Sequence, residues 1–547
     1  MILKKPVRTV FFVPLCFFLL NLSYIYGQWN PRPDPEGTVD FNSSNLPIII
    51  IDTNGGTIVD DPRIIASMKI IDNGPGITNT TDDSVHGYNG RIAIELRGSS
   101  SASYAKKQYR LETQDSLGEN LNLRLLDMPR ENDWILNGPY DDESLIRNVL
   151  AYRLSNKIGR YASRTRFCEL VLNGDYRGVY VLMEKIKRDN DRVDIKRMDA
   201  DDVAGDSLTG GYLIKIDKDE GENVGGWTSA KGIRYQYDYP KADDIQPEQK
   251  EYIKQFMNDF ETAMVADWSA DDSYLNMIDY DSFVDHFILN EFCKNVDAYR
   301  ISAYMYKQRD SNGGKLFMGP IWDFNLSMAK AWFREDQGLW EGWQIDYRQS
   351  HPTDGYQVPF WWEKLAHTPY FKEKAEKRWF ELRQTSLNKD SLYAEIDALV
   401  ANISDASERN FEKWPGVLAD NESYNNVIQV LKTWIEKRLT WIDENIGQLV
   451  TQVERGTEEV TQYRLYHNYP NPFNPKTVIN YQLPIRSKVE LSIYNMLGQK
   501  VTTLVSGTIE AGFHQTEWEA NGFASGIYFY RMQAGTYSMV RSMLLIK

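Results

Sequence analysis

The chain has 547 residues, 42% of them hydrophobic and 13% aromatic, which suits a globular protein with a sizeable core and about three or four domains. Its 62 basic and 77 acidic side chains give a formal charge of −15, and that argues against nucleic acid as the main partner, which would want a basic face. Three cysteines, with Cys16 inside the N-terminal apolar run, are too few for a disulfide framework, and the six scattered histidines show no zinc-ligand spacing.

Residues 1–27 carry Lys4, Lys5 and Arg8, then a mostly apolar run from Val10 to Leu20, then Gly27. This is the pattern of a secretory signal peptide. The apolar run is short of the roughly 20 residues that a membrane span needs, and no later segment reaches that length. Residues 28–45 read as an extended leader. Strands are predicted over 47–52, 64–71 and 91–96, the last alternating as Arg-Ile-Ala-Ile-Glu-Leu. It runs into Arg97-Gly98-Ser99-Ser100-Ser101 and then Lys106-Lys107, a small-residue turn of the kind that brings backbone N–H groups near phosphate. An amphipathic helix is predicted over 143–158, and a hairpin over 167–183 across Asn173-Gly174-Asp175. One more strand, 211–217, carries Lys215. A strand lysine steadied by a glutamate is how a kinase holds nucleotide phosphates. Lys215 is the first candidate for that lysine, Glu184 for its partner, and Lys107 is the rival; a solvated edge lysine is the plainer alternative.

A polar, glycine-rich insertion over 219–244 precedes a strong helix that starts at Pro247. The most informative stretch is 283–325. Phe283, Val284, Phe287, Ile288 and Phe292 recur at helical spacing, so 282–293 reads as a helix with a buried face. Lys294-Asn295-Val296-Asp297 breaks it and sets a carboxylate just beyond its end. Two apolar runs then flank Asp310-Ser311-Asn312-Gly313-Gly314, a hairpin signal, and the second run ends in Trp322-Asp323-Phe324. Two carboxylates at the ends of neighbouring elements match the needs of phosphoryl transfer. One orients and deprotonates the attacking hydroxyl, and the other holds Mg²⁺ against the nucleotide. The plainer reading has Asp297 capping a turn and Asp323 ending a strand.

Aromatics crowd 332–362, including Trp332, Phe333, Trp340, Trp343, Trp361 and Trp362; they suit a lid packed on a helical lobe or a carbohydrate or peptide surface. Helical periodicity continues to 448. Residues 449–462 form a polar linker, and short strands with glycine turns then predict a β-sandwich over 463–547. Cys168 and Cys293 read as buried free thiols, with a single disulfide as the alternative.

The ordered motifs of the body resemble those of the CotH family, the spore-coat-protein-H-like atypical kinases. The matching residues are Asn295, Asp297 and Asp323, together with the Arg97-Gly98 to Lys107 segment and Arg147-Asn148. The resemblance implies an atypical kinase-like α+β body over 46–448, with a β-rich lobe about 46–245 and a helical lobe about 246–448. It also implies ATP, Mg²⁺ or Mn²⁺, and Ser/Thr hydroxyl acceptors on a protein substrate. It makes Asp297 the catalytic base and Asp323 the metal ligand, with Asn295, Lys215, Glu184 and Lys107 toward the nucleotide. Ser302 and Asn325 stand where a second metal-binding Asn and Asp are found, and both keep an oxygen ligand without the charge. The tail words YPNPFNP, IYNMLGQ and SGIYFYR and the terminal Lys547 closely resemble the sorting domain of the type IX secretion system. That implies export to the surface or medium and the secretion machinery as a partner, against a carbohydrate-binding sandwich. Three functions are thus in view: a secreted protein kinase, a kinase-like scaffold for adhesion or matrix assembly, and a carbohydrate-active surface protein.

Overall fold

Strict alternation builds the first layer. In the strand Gln108–Gln114, Tyr109, Leu111 and Thr113 are buried while their neighbours are half-exposed, so one face looks into a core. Seven such strands close on themselves: Ile48–Asp52 (β1), Ile64–Ile71 (β2), Asn89–Arg97 (β3), Gln108–Gln114 (β4), Asp133–Asn137 (β5), Thr165–Leu172 (β6) and Asp175–Glu184 (β7). Their order is β1-β2-β3-β4-β5-β7-β6, and a parallel pairing of β1 with β6, Ile48 opposite Glu169, shuts the barrel. Ile49, Met68, Ile94, Leu111, Trp134 and Leu170 fill its interior, so it is a packed core and not a channel.

The computed structural model describes residues 36–219, 225–265, 274–330, 338–366, 368–418, 422–449, 463–465, 468 and 473–546. The predicted signal peptide, residues 28–35 of the leader, the linker from 450 on, Trp332, Phe333, residues 469–472 and Lys547 lie outside them.

A second sheet joins Tyr212–Ile216 (β8), Gly226–Thr228 (β9), Arg234–Tyr239 (β10), Ala303–Lys307 (β11) and Leu316–Met318 (β12) in the order β9-β10-β8-β11-β12. Its strands come from both sides of residue 245, so the 303–318 hairpin completes a sheet begun some 90 residues earlier. Beneath it run Arg147–Lys157 (α1), Pro247–Val265 (α2) and Tyr280–Cys293 (α3). All of α3 except Asp281 is buried, so Ser282, Asp285, His286, Asn290 and Glu291 are taken inside together with its apolar residues. Asp279 caps it by accepting the Ser282 N–H at 2.9 Å, and Lys294 ends it in the left-handed region.

Pro369–Arg383 (α5) and Tyr424–Asn445 (α8) pack on α3; Phe360–Ala366 (α4) lies against α2 and α5, Lys389–Asn402 (α6) against α8, and Ser404–Lys413 (α7) against β7 of the barrel, all around one core. Trp361, Trp362 and Trp379 are fully buried there, each contributing at least the roughly 1.5–3 kcal/mol of a large apolar side chain. Of the aromatic stretch, Trp361 and Trp362 are core and not surface. Cys168 and Cys293 are buried free thiols.

The tail has its own core. Arg464–Leu465 (β13), Lys476–Leu483 (β14) and Gly512–Glu519 (β17) form one sheet; Ser487–Asn495 (β15), Lys500–Ile509 (β16), Gly526–Ala534 (β18) and Tyr537–Leu545 (β19) form the other. Ile479, Leu491, Trp518 and Tyr530 are buried between them. The molecule is therefore mixed α+β, with a β-rich N-terminal part, helices after it and β-sheets at the C-terminus. No helix among the described residues is long and apolar enough to cross a membrane.

Candidate active site

Two irregular loops meet where α1, α3 and the second sheet converge. The first follows α3. The Lys294 side chain, 4% exposed, donates to the carbonyls of Leu339 and Glu341 and so ties the turn to the chain beyond it. The Asn295 side-chain oxygen accepts the Asp297 N–H at 3.4 Å, and the Asn295 carbonyl accepts from Gln344 at 2.7 Å. Arg300 donates to an Asp297 carboxylate oxygen at 3.2 Å and to the Val296 carbonyl, and lies 4.1 Å above the Tyr347 ring. Asp297 is thus held in place by a buried guanidinium. Ser302 has φ +51°, and its N–H donates to Asp217 at 3.3 Å; Asp217 in turn accepts from Lys215 at 2.9 Å.

The second loop follows β12. Trp322 stacks on Tyr152 with 6.0 Å between centroids, and the Arg97 guanidinium lies 5.6 Å from its ring. Asp323 sits at φ +61°. Its N–H donates to the Tyr152 hydroxyl at 3.0 Å, and the Phe324 N–H donates to Asn148 at 2.7 Å. Arg147 reaches the carbonyls of Ser327 and Met328 and is paired with Asp142. The Arg147-Asn148 landmark is therefore the bracket that fixes the Asp323 loop. Lys294, Tyr299, Ser302, Asp323, Met328 and Ala329 all have positive φ without being glycine. Such strain persists only where surrounding contacts over-determine the backbone, and it gathers at functional sites.

The electrostatics show which groups meet. Burial pushes the Asp323 carboxyl up to about 6; Asp297 and Asp217 push the same way, and Arg97 and Lys218 oppose them. Asp323 is nonetheless open to solvent, so it is surrounded by protein without being sealed in, as on the floor of a cleft. Asp323 and Asn325 line a pocket with Tyr104, Gln108, Asn148 and Asp141, whose carboxyl burial also pushes up to about 6. Lys215 is held above the usual lysine range: burial opposes this, and Tyr304, Asp217 and Asp238 outweigh it.

Asp297, Asn295 and Ser302 share one loop, and Asp323 and Asn325 share the other; Lys215 joins them through Asp217. Two candidates are placed elsewhere. Glu184 is fully buried and accepts from Arg164 Nε at 3.0 Å and from the Tyr161 hydroxyl at 3.1 Å, so its ion pairs run to arginine and not to Lys215. Lys107 donates to the Ala102 carbonyl at 2.8 Å and closes the serine turn. In that turn Gly98 has φ +102°, and a Cβ there would fall 1.9 Å from Ser101 Oγ, which is why the turn demands glycine. The sequence reading missed Asp217, Tyr152 and Asp141. Asp217 had a signal: it stands two residues after Lys215, on the same face of a strand. Tyr152 and Asp141 had none, because only packing brings them to the loop. Among the described residues no three His, Cys, Asp or Glu side chains form a ready-made metal cluster.

Comparison with family models matches residues 94–442 to the CotH kinase protein family and 467–547 to the secretion system C-terminal sorting domain. Comparison with curated proteins finds no match. The sorting domain indicates secretion or attachment at the cell surface. The first match runs from the barrel through both loops to α8 and spans more than half of the sequence, so the chain belongs to the CotH kinase protein family.

Proposed function

We propose that the protein is a secreted or cell-surface kinase that transfers the γ-phosphate of ATP to Ser or Thr hydroxyls of surface or exported proteins. The observation that carries this reading is the convergence of Asp297 and Asp323, from two separate loops, closely enough for Asp323 to feel the charge of Asp297. In the transfer, Asp297 accepts the proton of the attacking hydroxyl. A bond forms from that oxygen to the γ-phosphorus, the bond to the β–γ bridging oxygen breaks, and ADP leaves. Arg300 keeps Asp297 oriented for the proton.

The donor set at Asp323 fits a hard divalent cation. A carboxylate crowded by Asp297 and Asp217 is raised by their negative charge, and positive charge relieves that crowding. Mg²⁺ or Mn²⁺ would be held by Asp323 with Asn325 or Ser302. Mg²⁺ commonly takes one or two carboxylates and completes its shell with water and phosphate oxygens, so a full protein cage is not required. When bound, it would neutralise charge on the phosphates. Lys215 is the residue we assign to the phosphates, released from Asp217 for that purpose.

A second reading has one observation in its favour. Ser302 and Asn325 carry no charge, and Lys215 is already occupied by Asp217, which suits a kinase-like surface scaffold used in adhesion or matrix assembly. The deciding experiment incubates the protein with labelled ATP and Mg²⁺ or Mn²⁺, beside Asp297→Ala and Asp323→Ala. The kinase reading expects labelling of the wild type and its loss in both variants. No nucleotide binding and no labelling in any sample would leave the scaffold.

A further inference from the structure

Most positive charges beside the two loops already have a carboxylate. Lys215 is paired with Asp217 at 2.9 Å and Arg300 with Asp297 at 3.2 Å; Arg147 is paired with Asp142, and Lys330 with Glu143. Arg97 and Lys218 differ. Both are half-buried, and among the described residues neither makes an ion pair. An arginine offers five N–H donors. Arg97 uses one on the Gln108 side-chain oxygen, at 3.0 Å, and Gln108 lines the same pocket as Asp323 and Asn325. A short chain of contacts fixes Arg97 relative to Asp323. The guanidinium lies 5.6 Å from the Trp322 ring, Trp322 stacks on Tyr152, and the Tyr152 hydroxyl accepts the Asp323 N–H. Lys218 arrives from the second sheet, two residues beyond β8. Its N–H donates to Asp217 at 3.0 Å and its carbonyl accepts from Gln236 at 2.9 Å, so its backbone is pinned while its ammonium is left over. Both cations act on the Asp323 carboxyl, opposing the rise that burial causes.

We infer that Arg97, from the barrel, and Lys218, from the second sheet, together hold a phosphate chain beside Asp323. The assignment rests on the reading of Asp323 as the cation ligand of a phosphoryl-transfer site, and it names the residues that take the anion. A positive charge drawn partly out of water without a partner is costly, and one oxyanion ligand relieves that cost for both groups. The guanidinium fork matches two oxygens of one phosphate, whereas the ammonium acts as a point charge. Two such groups on separate elements, with a divalent ion at Asp323, suit a ligand that carries more than one phosphate. Lys215 has to leave Asp217 before it can take a phosphate; Arg97 and Lys218 have no ion pair to break.

The probes are ATP, pyrophosphate and phosphoserine, each titrated with Mn²⁺ into the full chain by calorimetry, and adenosine is the phosphate-free comparator. The inference expects ATP and pyrophosphate to bind, and Arg97→Gln to weaken both about tenfold or more, as loss of a hydrogen bond to a charged group does. Lys218→Gln is expected to weaken both severalfold. Arg97→Lys, which keeps the charge without the fork, is expected to fall between the wild type and Arg97→Gln. Adenosine is expected to behave alike with the wild type and the variants. Circular dichroism checks folding; should Arg97→Gln fail to fold once its place on Trp322 is lost, Lys218→Gln carries the test. ATP binding that the variants weaken, with no binding of pyrophosphate, would support the clamp and make the nucleotide the source of the chain. Pyrophosphate binding that the variants weaken, with no binding of ATP, would support the clamp and remove the kinase reading. Undiminished binding in both variants would overturn the clamp and leave the kinase reading standing. No binding of ATP or pyrophosphate by the wild type would overturn both. Tighter binding of phosphoserine than of either would overturn the chain as the ligand.

Discussion

A single carboxyl concentrates the electrostatic cost of this site. Asp323 has its folded-state value pushed up to about 6, above the ordinary aspartate range, by burial and by Asp297 and Asp217. The contribution of such a group to stability is present at low pH and lost as pH rises from about 4 through 6, because the folded chain holds a proton that the unfolded chain has released. At neutral pH Asp323→Asn is therefore expected to stabilise the ligand-free protein. The gain is about 1 kcal/mol once solvent access is discounted, seen as a higher Tm, while Mg²⁺-dependent nucleotide binding disappears. A lower Tm for Asp323→Asn would contradict this account of the cleft. Labelling by ATP should likewise rise with pH around 6 as Asp323 ionises. Asp297→Ala belongs to the same scale but has a different signature. Under the proposed reading Asp297 is the general base, whose loss costs about 10²- to 10⁴-fold in rate and leaves nucleotide binding in place, which a filter-binding assay beside the labelling assay would separate.

At the scale of elements, α1 does more than its amphipathic pattern announces. The sequence predicts a helix from 143, yet α1 begins at Arg147. Asp142 explains the delay: its side chain accepts the N–H groups of Ser144 and Arg147 and the Ser144 hydroxyl, holding 142–146 as a turn. That turn aims Arg147 and Asn148 at the Asp323 loop. Arg147→Met leaves the buried Asp142 carboxylate unpaired and is expected to destabilise the protein by roughly 3–5 kcal/mol in a denaturant titration. Asn148→Ala only orphans the Phe324 N–H. Its expected cost is about 1–3 kcal/mol, with a weaker metal-dependent signal because Asp323 loses its neighbour's anchor. A similar cost for both substitutions would show that the Arg147–Asp142 pair is not the stronger bracket.

Over the whole molecule, the tail has a core of its own: among the described residues, none buried in the tail cluster belongs to a cluster of the body. A domain with its own core, joined to the rest through a linker, unfolds as a unit of its own. Scanning calorimetry is expected to resolve a tail transition, and removing 463–547 is expected to delete it while leaving the body's transition in place. A single transition that shifts on truncation would show that the two halves depend on each other.

Much of this protein was legible in one dimension because the signals are local. Period-two and period-3.6 patterns, the Asn-Gly turn and the acids at element ends located β1 to β3, β6 to β8, α3, the hairpin and the two loops from residues a few positions apart. The tail announced itself in the same way, by short strands between glycine turns. What only the tertiary structure decided depends on residues far apart in the chain. The parallel pairing of β1 with β6 closes the barrel, and the 303–318 hairpin completes a sheet with β8. Glu184 goes to Arg164 and Lys215 to Asp217, although the kinase pattern of a strand lysine steadied by a glutamate had suggested joining Lys215 to Glu184. A charged side chain pairs with the nearest opposite charge in space, and burial makes that choice costly to undo. Nearness in space is set by how sheets and helices pack, which no window of sequence contains.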